Sequence, residues 1–113
     1  MAVKNEGEPF TRIDVHEAKE MIDNEDVQVV DSREMHEHAE GHVPGSINIS
    51  HMATLVRADE LVSDKPILFI CKSGQRSAVA AEFAASLGHN DLYNVEGGHD
   101  DWEAAGYQME TDN

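Results

Sequence analysis

Apolar residues in this chain come in short blocks set between polar turns, and the blocks have two different periods. Val27 to Asp31, Pro66 to Ile70 and Leu92 to Val95 are compact and rich in β-branched or aromatic residues, which predicts strands. Phe10 to Ile13 alternates, and Ser46 to Ile49 follows the turn Gly41-His42-Val43-Pro44-Gly45, so each predicts a short strand. Between the strands the spacing becomes helical. Asp14, with Glu17 three residues on, opens a helix over Val15 to Ile22 whose buried stripe would be Ala18, Met21 and Ile22. Ser32 to Ala39 predicts a brief helix, and Met52 to Leu61 a longer one through Met52, Leu55, Val56 and Leu61. Ala78 to Ala85 predicts a helix stopped at Gly88, and Asp100 to Ala105 a last one ended by Gly106. Strands alternating with helices imply an α/β domain with a central, largely parallel five-stranded sheet flanked by helices. Residues 1–9 show no periodicity and are expected to form a flexible N-terminal arm, leaving 10–113 as a single domain.

The chain's single cysteine falls where one predicted strand ends and a helix begins. Cys71-Lys72-Ser73-Gly74-Gln75-Arg76-Ser77 joins the apolar run ending at Ile70 to the helix starting near Ala78. Backbone N–H groups of such a turn, with the positive end of the helix dipole, point at the sulfur and favour an anion there. A thiol so placed has a lowered pKa and reacts as thiolate. In open sheets of this kind ligands bind beyond the carboxyl ends of the strands, where Cys71 and Asp31 both fall. Gly74 lets the loop curl around the sulfur. Ser77 is expected to cap the helix, and Arg76 to brace the loop through an acidic partner, with Asp31 the first candidate.

Charge adds a second theme. Eight Lys and Arg stand against 23 Asp and Glu, for a net charge of −15. Such a surface repels nucleic acid and anionic membranes, and no apolar stretch is long enough to span a bilayer. One cysteine cannot form an internal disulfide, and no leader-like segment opens the sequence, so a cytoplasmic protein is expected. The acidic residues are dispersed, as in proteins from salt-loving cytoplasms, and a halophilic source is the corresponding expectation. Against this background Lys72 and Arg76 would create a local positive spot for an anionic sulfur donor.

Three segments in order resemble the rhodanese-like sulfurtransferases. They are Val29-Val30-Asp31-Ser32-Arg33-Glu34 with Glu40 to Ile49, the loop Cys71 to Ser77, and Asn94-Val95-Glu96-Gly97-Gly98 with Trp102 and Gly106-Tyr107. The resemblance runs from about Thr11 to Gln108. It implies a single rhodanese-like domain in which Cys71 takes a sulfane sulfur from a donor such as thiosulfate, becomes a persulfide, and passes the sulfur to a thiol or cyanide. Lys72, Ser73, Gly74, Gln75, Arg76 and Ser77 would form the persulfide-binding loop, and Asp31 and Arg33 would hold neighbouring loops together. No cofactor is implied. With no second cysteine the acceptor must come from outside, a small thiol, cyanide, a thioredoxin or a sulfur-relay protein.

Two alternatives keep the fold. A phosphatase or arsenate reductase would need five residues between Cys and Arg, whereas four intervene here, Lys72 to Gln75, which encloses a pocket suited to one sulfur atom. A non-enzymatic sulfur-carrier or interaction module is the other, and the retained Cys71, Gly74 and Arg76 speak against it. His36, His38 and His42 suggest a metal site only superficially. A helix sends His36 and His38 to different sides and no second cluster accompanies them, so solvated histidines and no metal are expected. Trp102 is expected as a core or rim aromatic in preference to a substrate platform.

Overall fold

The computed structural model describes residues 2–112. Five strands, β1 (Thr11–Ile13), β2 (Gln28–Asp31), β3 (Ile47–Asn48), β4 (Ile67–Ile70) and β5 (Leu92–Val95), form one sheet in the order β1-β5-β4-β2-β3. Every neighbouring pair is parallel. The helices are α1 (Val15–Asn24), α2 (Met35–Glu40), α3 (Gln75–Ser86) and α4 (Gly98–Ala104). The expected α/β architecture with a parallel five-stranded sheet is the observed one.

The middle strand β4 explains its own unbroken apolar run. Ile67 and Phe69 join one core with Phe10, Ala80, Ala81 and Ala84, while Leu68 and Ile70 join another with Ile13, Ala18, Val95 and Trp102. A parallel strand covered on both faces has no polar side to alternate with. Trp102 is buried in the core. The stretch before Phe10 folds back on β1, where Val3 and Arg12 exchange backbone hydrogen bonds of 2.8 and 2.7 Å and Glu8 pairs with the Arg12 guanidinium.

Residues 52–61 depart from expectation. In place of one helix there are two short 3₁₀ turns, His51–Ala53 and Ala58–Glu60, and Met52, Leu55 and Val56 face outwards. Of the expected stripe Leu61 is buried, and Thr54 is buried with it, its hydroxyl donating to the carbonyl of His51 at 2.9 Å. A spacing of three suits a 3₁₀ turn as well as an α-helix, and here local polar bonds decide. The brief helix expected from Ser32 starts later, at Met35, because Ser32 and Arg33 are buried and tied to the end of β2 and β4. The α1 helix runs two residues past Ile22, to Asn24, and Met21 and Ile22 are only partly buried.

Candidate active site

Cys71 directly follows β4 and is buried, 1% exposed. Gly74 caps α3 with φ +109°, a conformation that side chains rarely adopt, and this turns the chain back over the sulfur. Its N–H donates to Cys71 Sγ at 3.1 Å, and the Ser77 hydroxyl lies 3.3 Å from the same atom. Burial pushes the thiol pKa upward. The Ser77 hydroxyl and the N–H groups of Ser77, Gly74 and Ser73 outweigh it, leaving the pKa below its ordinary value.

Ser77 is not the helix cap. The helix begins at Gln75, which puts Ser77 in the first turn with its side chain directed inward. There it contacts Asn94 Oδ1 at 2.5 Å as well as the sulfur. Asn94, buried on β5, donates its amide to the Gly74 carbonyl at 3.1 Å and to Glu96 at 2.5 Å. Sequence reasoning missed Asn94 as a site residue, although it sits in one of the quoted motifs.

A second helix start holds the loop from the other side. The N–H groups of His99 and Asp100 donate to the carbonyls of Cys71 and Lys72 at 2.8 and 3.0 Å. A Cβ on Gly98 would meet the Cys71 carbonyl oxygen at 2.4 Å, so only glycine permits this approach. The His99 ring adds a side-chain bridge. Its Nε2 accepts the Val43 N–H at 3.2 Å, so Nδ1 carries the proton and donates to the Cys71 carbonyl at 2.9 Å. Burial, the largest influence, holds the His99 pKa down to about 4, so the ring is neutral at physiological pH. No pattern in the sequence marked this histidine.

Asp31, at the end of β2 beside Ile70, is fully buried and accepts from every direction. Arg33 donates from Nε at 3.0 Å, from Nη2 at 2.9 Å and from its backbone at 3.1 Å, and His38 Nδ1 lies 2.8 Å away. Arg33 Nη2 also reaches the Gly41 carbonyl at 2.6 Å. Burial raises the Asp31 pKa, yet the Arg33 hydrogen bonds with the nearby cationic and imidazole groups bring it below its usual value. Asp31 is therefore committed to Arg33 and His38. The partner of Arg76 is Glu37 instead, a bidentate pair at 2.7 and 3.0 Å. Arg76 holds the Glu37 pKa down to about 2.

Lys72 is exposed and paired with Asp100 at 2.8 and 2.9 Å. Both loop cations thus face carboxylates, and the positive spot expected from sequence is largely neutralised. Beside the loop lies a cleft of about 310 Å³, where Glu37, Glu40, Asp100 and Glu103 outnumber Arg33 and Lys72. Ser73 and Gln75 are hydrogen-bonded to each other at the loop surface, at 2.5 Å.

The histidines also differ from expectation. His36 is exposed, but His38 and His42 are buried, because the buried Asp31 carboxylate needs donors and His38 supplies one. His42 fixes its turn through a 2.7 Å contact between Nδ1 and the His38 carbonyl.

A parallel sheet whose middle strand delivers a cysteine to the start of a helix, with loop N–H groups turned toward its sulfur, defines a class of α/β domain with a thiol site at the carboxyl edge of the sheet. This chain belongs to the rhodanese-like family, whose domain model matches residues 14–105. It is 33% identical over 104 residues to the thiosulfate sulfurtransferase GlpE of Actinobacillus pleuropneumoniae serotype 7, a match spanning 92% of this chain and 96% of that protein. The thiosulfate sulfurtransferase GlpE of Pseudomonas putida GB-1 is 35% identical over 104 residues, spanning 90% and 92%. Among solved structures, a rhodanese-related protein from Thermoplasma volcanium superposes with TM-score 0.79 at 35% identity, covering 88% of this chain and 96% of the other. A rhodanese-like domain protein from Staphylococcus aureus gives TM-score 0.77 at 28% identity, covering 90% and 98%. Among the described residues no helix is long and apolar enough to cross a membrane.

Proposed function

We propose that the protein is a sulfurtransferase that moves a sulfane sulfur from a donor such as thiosulfate to a thiol or cyanide acceptor through a persulfide on Cys71. The observation that carries this reading is the buried Cys71 sulfur receiving hydrogen bonds from the Gly74 N–H and the Ser77 hydroxyl. In the first step the Cys71 thiolate attacks the outer sulfur of thiosulfate. An S–S bond to Cys71 forms, the sulfur–sulfonate bond breaks, and sulfite leaves with the electron pair. In the second step the acceptor attacks the outer sulfur, and Cys71 departs as thiolate.

Each residue of the loop has a part in this scheme. The backbone N–H groups from Lys72 to Ser77 stabilise negative charge on whichever sulfur lies in the ring. The hydroxyl of Ser77 has one proton and two neighbouring acceptors, Asn94 Oδ1 and Cys71 Sγ. When Cys71 is a thiol it can donate to Ser77, and Ser77 to Asn94; when it is a thiolate, the Ser77 proton turns to the sulfur. Asp31 and Arg33 would tie the end of β2 to His38 and Gly41 beside the loop, and Glu37 would hold the loop itself through Arg76. The acceptor approaches from solvent, since the chain has no second cysteine.

Mass spectrometry after incubation with thiosulfate tests the reading. The expected result is an increase of about 32 Da, one sulfur atom, that cyanide removes and that Cys71→Ala never acquires. No adduct with thiosulfate or with a low-molecular-weight persulfide would leave a non-enzymatic module as the better account. Hydrolysis of an aryl phosphate that depends on Cys71 would instead make the protein a phosphatase.

A further inference from the structure

Two of the seven histidines share a site outside the sulfur cradle. His38, in α2, and His42, just beyond it, are both buried and stack ring on ring, with centroids 3.7 Å apart and planes 10° from parallel. Each has its Nδ1 committed. That of His38 lies 2.8 Å from Asp31 Oδ2, and that of His42 lies 2.7 Å from the His38 carbonyl. The ionised carboxylate and the carbonyl only accept, so both Nδ1 atoms carry a proton, and Nε2 of each ring is the nitrogen left outside these bonds. Among the described residues no hydrogen bond reaches Nε2 of either ring.

The second cluster that the sequence lacked near these histidines arrives through the C-terminal tail. His42 and Glu110 exchange backbone hydrogen bonds of 2.9 Å, and the Asp112 N–H donates to the Ala39 carbonyl at 2.9 Å. This pairing carries Glu110 Oε1 and Asp112 Oδ1 to 3.9 Å from His42 Nε2. Ligand atoms of His38, His42 and Asp112 all lie within 4.8 Å of one another. The structure thus gathers two imidazoles whose far nitrogens are fixed by a carboxylate and a carbonyl, the arrangement that orients metal-binding histidines.

We propose that His38, His42 and Asp112 bind one divalent transition-metal ion of the Zn²⁺ type, with Glu110 beside the remaining coordination position. Two imidazoles with a carboxylate suit Zn²⁺, whereas Mg²⁺ and Ca²⁺ take oxygen ligands. Zinc bonds of about 2.0–2.2 Å require the ligand atoms to close to within about 3.5 Å. Binding therefore draws in the exposed Asp112 side chain and fans the stacked rings apart. The ion would cross-link the tail to α2, the helix whose Glu37 holds Arg76. Its role is to tie down the rim of the sulfur site; no step of sulfur transfer needs it.

The test uses Cys71→Ala protein, in which the thiol cannot bind the metal. Calorimetric titration with ZnCl₂ is expected to show one site per chain, and excess Zn²⁺ to raise the melting temperature by mass action. Co²⁺ should give the visible absorption of a four-coordinate site. Asp112→Asn, at an exposed position where the fold is safe, should weaken binding by about tenfold or more, as should His42→Gln, while His36→Gln leaves it unchanged. If His42→Gln fails to fold, Asp112→Asn decides alone. Weak uptake at many sites, of the kind exposed carboxylates give, would overturn the proposal, as would one-site binding that Asp112→Asn does not alter.

Discussion

The loop Cys71–Ser77 and the ring of polar side chains around it secure the site by different means, the loop touching the sulfur and the side chains holding the segments beside it. The loop works with backbone N–H groups and one hydroxyl from a single short stretch. The ring works with side chains drawn from distant stretches: Asp31 with Arg33 and His38, Glu37 with Arg76, Asn94 with Ser77, and His99 with Cys71. Backbone donors survive every substitution except proline and need no partner beyond the turn that aims them. Side-chain donors can be lost singly, and each loss leaves another buried group unsatisfied. The difference suggests a division of labour in which the loop sets the reactivity of the sulfur and the ring sets the stability and position of the loop.

Asp31→Ala should break the ring most severely. It leaves the guanidinium of Arg33, a residue 7% exposed, without its carboxylate, and His38 without its acceptor. Removing one partner of a buried pair costs about 3–5 kcal/mol, a large share of a domain's stability. Denaturant unfolding should show that loss. Persulfide formation per folded molecule should change far less, and an equal fall in both would erase the distinction between ring and loop.

His99 tests the ring through pH. Its folded pKa of about 4 lies below the usual 6.5, so the folded state prefers the neutral ring. The stability this brings is complete above pH 6.5 and is lost as pH falls towards 4, amounting to about 3 kcal/mol over the window. Unfolding measured from pH 7.5 to 4, with a chelator present, should show this decline, and His99→Gln should flatten it. A decline of the same size in the variant would move its origin to other groups.

Ser77→Ala addresses the loop. The variant loses one hydrogen bond to the thiolate and leaves Asn94 Oδ1 without its donor, costing about 1–3 kcal/mol. The informative readout is the pH dependence of persulfide formation. With one of the lowering influences gone, the apparent thiol pKa should rise and the rate at neutral pH should fall by about tenfold, with recovery at higher pH. An unshifted profile would leave the backbone N–H groups as sufficient by themselves.

The same division separates what could be read in the sequence from what could not. The loop was legible because its parts are contiguous, and a cysteine followed by glycine between an apolar run and an alanine-rich helix has few other meanings. The strands were legible because burial on both faces leaves an unbroken apolar block, as in β4. The ring was not. Twenty-three carboxylates offered themselves to Arg76, and nothing local distinguishes Glu37 from Asp31. His99 and Asn94 are polar residues whose use depends on which segment folds over them. Residues 52–61 fit two helix periods, and the buried Thr54 that separates them is polar.

Charge around the cleft gives the smallest effect and joins loop to ring. Lys72 and Arg76 are each matched by a carboxylate, and Glu40 and Glu103 add unbalanced charge beside them. A dianion such as thiosulfate approaches this rim, on a chain of net charge −15, against a repulsive field. Salt shortens the reach of that field from about 10 Å at 0.1 M to about 3 Å at 1 M. The kcat/KM for thiosulfate should therefore rise several-fold between low and molar salt, while a neutral sulfane donor shows little change. Asp100→Asn frees Lys72, and because an exposed pair is worth about 1 kcal/mol or less, the low-salt value should rise by no more than about fivefold. A rate that falls with salt would mean that the two cations outweigh their partners, and the positive spot expected from the loop alone would then be the better description.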